Sequence, residues 1–427
     1  MTGSYLAGRG AYWLHQVTRR IWFRASLYSL AGVLTALVAV RAAPFIPDEL
    51  SLTVGGKAVD NILGILASSM LAVTTFALSA AVTAYGAAAS TVTPRATQLL
   101  VEDRFTQNAL STFVGTFLFS IVGIIALTTG YYGDKGRVVL FFATVVVVAI
   151  VAITLLRWIQ HLSSFGRVPD TIRRVEAAAS DAMRAWAESP SLGGCAAVVV
   201  PRHAVAVFAD TTGYVRHIDM KALSRIADQP AVSVHVAVLP GAFVHAARCV
   251  AWLAGGSDAD AIKAVAAAFE VSQTRDYDQD PRFGLIVLGE IASRALSPAV
   301  NDPGTAIQVL GAAHRVLLAL ADTASAEPVF AGVYVPKLAT SDLFDDVFRP
   351  IARDGAGIIE VQLRLQATLA ALAARSPDLF GAQAERVAAD ARTRAASAMS
   401  DGDMAVLSRN PMMGREGREP SPSVTHQ

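Results

Sequence analysis

Long runs of apolar positions dominate the first third of the chain. Crossing a hydrocarbon core of about 30 Å takes roughly 20 apolar residues in a helix, at a rise of about 1.5 Å each. Four segments meet this length, at residues 21–40, 62–89, 109–127 and 138–156. The pattern predicts an α-helical membrane bundle of four transmembrane helices over residues 21–160, preceded by a short segment, residues 1–20.

Basic residues are distributed unevenly around these segments. One side carries Arg9, Arg19, Arg20, Arg95, Arg104, Arg157, Arg167, Arg173 and Arg174. The other side carries Arg41, Lys57, Lys135 and Arg137. Cytoplasmic flanks are ordinarily the richer in Lys and Arg. We therefore expect a multi-pass protein of the plasma membrane with both termini in the cytoplasm.

The second apolar segment is unusually long, because no charged residue occurs between Asn61 and Pro94. Small and hydroxyl residues recur in it at steps of three and four, which places them on one helical face. These seven positions, called the hydroxyl stripe below, are Ser68, Ala72, Thr75, Ser79, Thr83, Gly86 and Ser90. Two interpretations remain open. Ser68, Thr75, Ser79 and Thr83 line a pore, or the small residues allow close packing of helices.

The hydrophobic pattern changes near residue 168, where shorter amphipathic and β-rich runs begin. We predict a cytoplasmic α/β domain with a small β-rich part at 168–252 and a helical part at 253–399. Helices are expected in the second part at 258–273, 281–296, 303–320, 358–375 and 382–398. Residues 400–427 are polar and contain Gly, Pro and Ser, so a disordered tail is expected there.

Composition narrows the classes of function. Hydrophobic residues make up 53% of the 427 residues, charged residues only 17%, and the net charge is +1. This charge disfavours nucleic acid as a partner, because binding phosphates needs a basic face. The two cysteines form no CxxC pattern, and the chain has no HExxH, GxSxG, P-loop or GxGxxG motif. We therefore expect no cofactor, and nothing indicates an enzyme.

The stretch "TRDYDQDPRFG" places Asp276, Asp278 and Asp280 at alternate positions, like the start of a calcium-binding loop. Counted from Asp276, the sixth residue is Pro281 instead of Gly and the twelfth is Val287 instead of Glu. These differences break the EF-hand pattern. The three aspartates remain candidate metal ligands, and the alternative is a solvated acidic turn in which Asp280 caps the next helix.

The stretch "SRALSPAVNDPGTA" joins two predicted helices. Pro298 ends the first helix, and Asp302 suits the N-cap of the second, before a proline at its first position. We predict a structural hub instead of a catalytic centre, and a subunit contact stays open as a further role of the loop. Its expected members are Glu290, Arg294, Ser297, Asn301 and Asp302. Arg294 is expected to pair with Glu290 or with the acidic turn at 276–280.

Several of these motifs together resemble a known family. The quoted stretches "GYVRHID", "LPGAFV" and above all "DPRFGLIVLGEIASRALSPAVNDPGTA" are similar to the bacterial membrane-protein family catalogued as domain of unknown function 2254. The resemblance runs from about the first span to Arg375. It implies an N-terminal helical membrane region and a cytoplasmic α/β region, hence a bacterial inner membrane. It implies no activity.

The leading hypothesis for function is an oligomeric channel or pore for ions or small solutes. It rests on the long hydroxyl-bearing second segment and on the absence of a catalytic motif. A non-conducting sensor or scaffold that recruits a cytoplasmic partner is the first alternative. A metal-dependent membrane enzyme that uses residues 276–302 is the second. The expected partners are the lipid bilayer and further copies of the chain.

Overall fold

The computed structural model describes residues 56–129, 133–255, 258–322 and 327–409, together with isolated helical positions between 23 and 38. The chain divides into two compact units at the boundary between Asp170 and Thr171. We call the first the membrane unit and the second the α/β unit. Each is described by itself.

The described part of the membrane unit consists of helices. They are α1 (Gly56–Thr91), α2 (Thr97–Val101), α3 (Arg104–Thr128) and α4 (Gly133–Leu162). Helix α1 has 36 residues, which corresponds to about 54 Å at 1.5 Å per residue. The predicted second, third and fourth spans fall inside α1, α3 and α4. The predicted first span, at 21–40, lies outside the described residues except for the isolated positions.

Four described helical segments are long and apolar enough to cross a membrane, and they are Val59–Ser90, Thr97–Thr128, Arg137–Leu162 and Pro303–Ala321. Three of them belong to the membrane unit. The fourth belongs to the α/β unit, where Val309, Leu310 and Val316 are fully buried. On its exposed side Arg315 pairs with Glu176 of the same unit. We therefore assign Pro303–Ala321 to the core of the α/β unit.

Small side chains allow α1 to pack closely on α3. Ala77 and Ala81 are fully buried in one cluster with Phe113 of α3 and Trp158 of α4. Polar residues of α3 are also buried, and their hydroxyls bond within the helix. Ser120 Oγ, for example, donates to the carbonyl of Thr116 at 2.9 Å. Such bonds satisfy a buried hydroxyl without a partner on another helix.

The α/β unit alternates short strands with helices. Its helices are α5 (Val168–Glu188), which begins at the boundary, α6 (Met220–Ala227), α7 (Ala259–Ala267), α8 (Phe283–Ala295), α9 (Pro303–Ala321), α10 (Thr340–Asp354), α11 (Ile359–Arg375), α12 (Ala382–Ala396) and α13 (Asp401–Arg409). Its strands are β1 (Gly194–Ala196), β2 (Val205–Phe208), β3 (Gly213–Ile218), β4 (Ser233–Val236), β5 (Phe243–Val244), β6 (Cys249–Ala254), β7 (Phe269–Ser272) and β8 (Phe330–Val335).

The strands form two sheets. The larger has the order β1-β8-β4-β6-β2, with β8 parallel to β1 and β4 and the remaining pairs antiparallel. The smaller, β5-β3-β7, is antiparallel. Residues from both sheets, such as Val215, Val234 and Leu253, share one hydrophobic core with Met220 and Leu223 of α6. This core holds β3 in place, and β3 carries part of the site described below.

Four elements, β7, β8, α10 and α13, differ from the sequence expectations. The helix expected at 258–273 ends at Ala267, and Phe269–Ser272 pairs with β3 as a strand. Strand β8 and helix α10 both lie in the part expected to be helical, where neither was predicted at its position. Helix α13 lies in the expected tail, where Ser400 Oγ accepts from the N–H of Asp403 and Leu407 is buried. Residues 410–427 lie outside the described residues.

Candidate functional site

The acidic turn at 276–280 is paired with arginines. Arg216 of β3 donates from Nε to Asp276 Oδ2 at 2.8 Å. Arg275 donates from Nε to Asp280 Oδ2 at 2.7 Å. Both carboxylates are almost completely buried. A buried charge is tolerated when it is paired and hydrogen-bonded, and both conditions are met here.

Asp280 also stabilises the start of α8. Its Oδ1 accepts from the backbone N–H groups of Arg282 at 3.1 Å and Phe283 at 3.2 Å. The first N–H groups of a helix have no partner within the helix, so a carboxylate there satisfies them. This agrees with the capping role expected for Asp280. The guanidinium of Arg275 lies over the ring of Phe283, 5.4 Å from its centroid.

The Pro240–Gly241 turn covers the Arg275–Asp280 pair. Gly241 has a φ of +87°, a region that L-residues with side chains rarely adopt. A Cβ at this position would lie 2.2 Å from Asp280 Oδ2 and 2.5 Å from a terminal nitrogen of Arg275. Glycine is therefore required both by the backbone conformation and by the contact with the ion pair.

Gln279 attaches the acidic turn to β3. Its Oε1 accepts from the backbone N–H of Ile218 at 2.8 Å, and its Nε2 donates to the carbonyl of the same residue at 3.4 Å. The Gln279 amide thus makes the two hydrogen bonds to the backbone of Ile218 that a neighbouring strand would otherwise make. Four segments meet at this point, which we call the arginine–aspartate junction: β3, the Pro240–Gly241 turn, the acidic turn and the start of α8.

The electrostatics of the junction are dominated by burial. Burial raises the pKa of Asp280 from 3.8 to about 6, although the charge and hydrogen bond of Arg275 and the N–H of Arg282 act in the opposite direction. Nearby Asp276 raises it further. The raised pKa follows from the cost of removing a carboxylate from water.

The three predicted metal candidates make different contacts. Asp276 and Asp280 are each held by a different arginine, and Asp278 donates its backbone N–H to Asp276 Oδ1 at 3.1 Å. Within the described ranges no group of three or more His, Cys, Asp or Glu side chains converges as metal ligands would. The geometry of the junction therefore favours a structural role.

The loop of the predicted hub, between α8 and α9, is largely exposed, and its hydrogen bonds join residues that are close in the sequence. Ser297 Oγ donates to the carbonyl of Arg294 at 2.7 Å, and the N–H of Asn301 donates to the carbonyl of Ser297 at 2.9 Å. Asp302 accepts from the N–H of Thr305 at 3.1 Å and from its hydroxyl at 2.6 Å. The Thr305 bonds lower the pKa of Asp302.

The outer members of the predicted hub lie on α8, where Glu290 is half-buried and Arg294 is exposed. Arg294 was expected to reach Glu290 or the acidic turn. In the structure two carboxylates of the turn, those of Asp276 and Asp280, are held by Arg216 and Arg275. The capping role of Asp302 is thus present, whereas the link to the acidic turn is made by residues outside the hub.

The hydroxyl stripe of α1 lies on the helix face opposite the one that packs against the described helices α3 and α4. All seven of its positions are exposed, whereas Leu63, Met70, Ala77 and Ala81 on the opposite face are buried. The stripe hydroxyls bond to carbonyls of their own helix. Ser68 Oγ donates to the carbonyl of Gly64 at 3.0 Å. Thr75 Oγ1 donates to that of Leu71 at 3.0 Å, and Thr83 Oγ1 to that of Ser79 at 2.9 Å.

Large apolar side chains flank the stripe on both sides. At 3.6 residues per turn, Leu71, Leu78 and Val82 lie to one side of it and Ile65 and Phe76 to the other. All five are exposed, between 49% and 68%. The stripe is therefore the polar centre of a wider apolar face.

Sequence reasoning missed the residues that complete the junction, which are Arg216, Gly241, Arg275 and Gln279. Arg216 and Asp276 are 60 positions apart, and no regular spacing connects them. The one available signal was that the stretches "GYVRHID" and "LPGAFV", and the block that begins at Asp280, all belong to the family resemblance. Their residues converge only in the folded chain.

Comparison with known proteins gives one family. The model described as "Predicted membrane protein (DUF2254)" matches residues 18–371. The chain is also similar to Uncharacterized protein Mb1321c of Mycobacterium bovis and Uncharacterized protein Rv1290c of Mycobacterium tuberculosis. Each is 25% identical over 315 residues, which cover 70% of this chain and 59% of the relative. The match therefore spans less than two thirds of those relatives. No solved structure matches the chain.

Proposed function

The chain belongs to the DUF2254 family of predicted membrane proteins, and we propose that it is an oligomeric channel or pore for ions or small solutes. The observation that carries the proposal is the exposure of the hydroxyl stripe on α1. Among the described residues of a single chain this polar line is exposed, whereas the other face of α1 packs against α3 and α4.

A ring of copies gives each part of this face a role. In a closed symmetric assembly the centre of the face points to the axis, and its two flanks contact the neighbouring copies. The flanks are apolar, through Leu71, Leu78 and Val82 on one side and Ile65 and Phe76 on the other. The centre carries Ser68, Thr75, Ser79 and Thr83, whose hydroxyl oxygens are available to water or ions. Hydroxyl-lined pores hydrate more readily than apolar constrictions, which close by dewetting.

Close packing of two α1 helices is the competing interpretation, because small residues let helix backbones approach. Two triple variants separate the interpretations. Replacing Thr75 and Thr83 with Val and Ser79 with Ala removes the hydroxyls with almost no change of size. Replacing all three with Leu adds volume as well.

The experiment is reconstitution of the full chain into liposomes, with conductance and solute release measured beside the oligomeric state. A pore predicts that the Val/Ala/Val variant assembles normally and conducts at least tenfold less. Packing predicts that this variant behaves like the unmodified protein, whereas the Leu variant fails to assemble. An unmodified oligomer that never conducts, under voltage or tension, would reject the channel and favour the non-conducting sensor or scaffold.

The proposal includes an orientation, with both termini and the α/β unit in the cytoplasm of a bacterial inner membrane. It is supported by the excess of arginine on one side of the spans. Reporter fusions after residue 131 and after Arg174 test it. We expect a periplasmic signal from the first fusion and a cytoplasmic signal from the second. The reverse pattern would invert the proposed orientation.

A further inference from the structure

The five-stranded sheet of the α/β unit ends at β1, and the chain runs on from this strand beyond the ladder. Among the described strands β1 pairs with β8 alone, and the register ends at Ala196 opposite Val335. The next residue, Pro336, has no backbone N–H for a continued ladder. Residues 197–200 belong to no described strand. We call residues 194–200 the open edge.

The open edge is apolar and solvent-exposed. Its sequence is "GCAAVVV". Val199 is 93% exposed and Val198 is 53% exposed. No charged residue occurs between Glu188 and Arg202. Natural edge strands are ordinarily protected by charged side chains, by proline or by a covering element, because an unprotected apolar edge pairs with further strands. Adding a strand to such an edge is a common mode of recognition.

We propose that the open edge pairs in an antiparallel manner with the open edge of a second copy of the chain. A two-fold axis between identical strands of one sheet makes them antiparallel. The N–H and C=O groups on the side of β1 that faces away from β8 then bond to their counterparts in the other copy. The pairing joins two five-stranded sheets into one. It rests on the oligomeric part of the proposed function, and it does not depend on conduction.

The charge pattern of the open edge fits a second copy. When two identical strands pair about a two-fold axis, a charged residue near the axis lies close to the same charge of the other copy. Like charges directly opposite each other destabilise a strand pair. The open edge carries no charge, so self-pairing meets no such repulsion. The valines also favour strands, since β-branched side chains pack well on a pleated surface.

The size of the contact also favours a second copy. One pair of short strands buries less than the roughly 1,200 Å² that a specific complex of two soluble proteins ordinarily needs. A soluble partner would therefore bind weakly to this edge alone. Two copies that are already assembled through their membrane units meet at a high effective concentration, and a small contact then suffices.

The two-fold contact has a consequence for the number of copies. An isologous contact uses the same surface on both partners, so each open edge is saturated by one other copy. Copies are thereby joined in pairs. The proposed assembly should then contain an even number of chains, which native mass spectrometry of the detergent-solubilised protein measures. A homogeneous assembly with an odd number of chains would overturn the pairing.

A cysteine scan of the open edge tests the pairing directly. Single cysteines are placed at positions 196 to 200 of the full chain, in a background with Cys195→Ser and Cys249→Ser. Each variant is reconstituted into liposomes and oxidised. A disulfide needs Cα atoms within about 7 Å of each other. Each step from the axis separates the two copies of a residue by about 7 Å more along the strand, twice the rise of about 3.3 Å. We therefore expect crosslinked dimers at one position or at two adjacent positions.

Val406→Cys in the same background is the matched control, because Val406 is also an exposed valine but lies on α13. It measures the rate of random collisions in the membrane. Crosslinking at all five positions no stronger than at 406 would overturn the proposal. So would a cysteine at 199 that a maleimide fails to label in separated single chains, because another part of the chain would then cover the edge. If the background does not fold, the scan keeps both native cysteines and mass spectrometry identifies the bridged residues.

A charge placed on the open edge should oppose the pairing. Val199→Lys, or Val198→Lys if the crosslink lies at 199, puts two like charges near the axis, and we expect the crosslinked fraction to fall roughly tenfold. Val406→Lys is the control and should leave it unchanged. Conductance is measured on the same liposomes. Conduction without crosslinking would reject the pairing and leave the channel, whereas crosslinking without conduction would reject the channel and leave the pairing.

Discussion

The membrane unit and the α/β unit satisfy their polar side chains in different ways. In the membrane unit, hydroxyls such as those of Thr75, Ser111 and Ser120 bond to carbonyls one turn earlier on the same helix. In the α/β unit, the bonds of Arg216 and Arg282 reach residues 60 to 64 positions away. The first unit therefore depends on apolar packing between helices. The second also depends on a few buried polar contacts that join distant segments.

The largest expected effect comes from Gly241→Ala, because its Cβ would overlap the Arg275–Asp280 pair. We expect a loss of about 3 to 5 kcal/mol in the free energy of unfolding, the cost of breaking a buried ion pair. Thermal denaturation of the full chain measures it. Gly381→Ala is the matched control in the same unit, because no neighbouring atom of the described residues lies within 4 Å of its Cβ position. Equal melting temperatures for Gly241→Ala and Gly381→Ala would contradict the close contact between Gly241 and the Arg275–Asp280 pair.

The substitution Arg275→Leu tests the Arg275–Asp280 ion pair by removing its positively charged member. The substitution keeps an apolar stem but leaves the buried Asp280 carboxylate without its guanidinium, so we expect a destabilisation of about 3 kcal/mol. Adding Asp280→Asn should recover part of this loss, because the unpaired charge is removed. A double-mutant cycle by chemical denaturation gives the coupling energy. Additive effects of the two substitutions would mean that they do not interact.

The raised pKa of Asp280 predicts a dependence of stability on pH. Because its pKa in the folded chain is about 6 instead of 3.8, its favourable contribution is complete below about pH 4 and is lost as pH rises through 6. A difference of about two pKa units corresponds to up to about 3 kcal/mol. The measurement is the free energy of unfolding at pH 4 and pH 7, in the unmodified chain and in Asp280→Asn. A contribution that instead increases with pH over this window would reverse the assigned direction.

A smaller effect is expected at the exposed loop before α9. Asp302→Ala removes the cap bonds to Thr305 and should cost about 1 kcal/mol. Ser297→Ala should change stability by less than about 0.5 kcal/mol, because its hydroxyl bond is local and exposed. Melting temperatures of the two variants provide the comparison. If Asp302→Asn preserved stability and assembly but abolished a measurable activity or metal binding, the structural interpretation of this loop would be incorrect.

The smallest effect on folding is expected for the stripe variant with Val, Ala and Val at 75, 79 and 83. The hydroxyls of Thr75 and Thr83 bond to carbonyls of α1 itself, and all three positions are exposed, so the melting temperature of the unassembled chain should change by only a few degrees. Assembly and conductance are the properties that the proposed pore links to them. A large loss of stability in the unassembled chain would mean that the stripe packs inside the membrane unit.

Much of the architecture could be predicted from the sequence, because the signals concerned act over a few residues. Spans 62–89, 109–127 and 138–156 lie inside α1, α3 and α4, and α9 begins at Pro303, directly after Asp302. Strand β7 was missed, because the four residues of "FEVS" continue a helical run and become a strand only by pairing with β3.

The sequence by itself determined which segments are apolar enough to span a membrane, where helices α9 and α11 lie, and to which family the chain belongs. Periodicity, capping and composition are properties of consecutive residues. Only the tertiary structure decided that Asp276 and Asp280 pair with Arg216 and Arg275 and that the hydroxyl stripe is exposed. Each of these depends on contacts between residues brought together by folding, and no local pattern encodes which distant side chain will fill a given space.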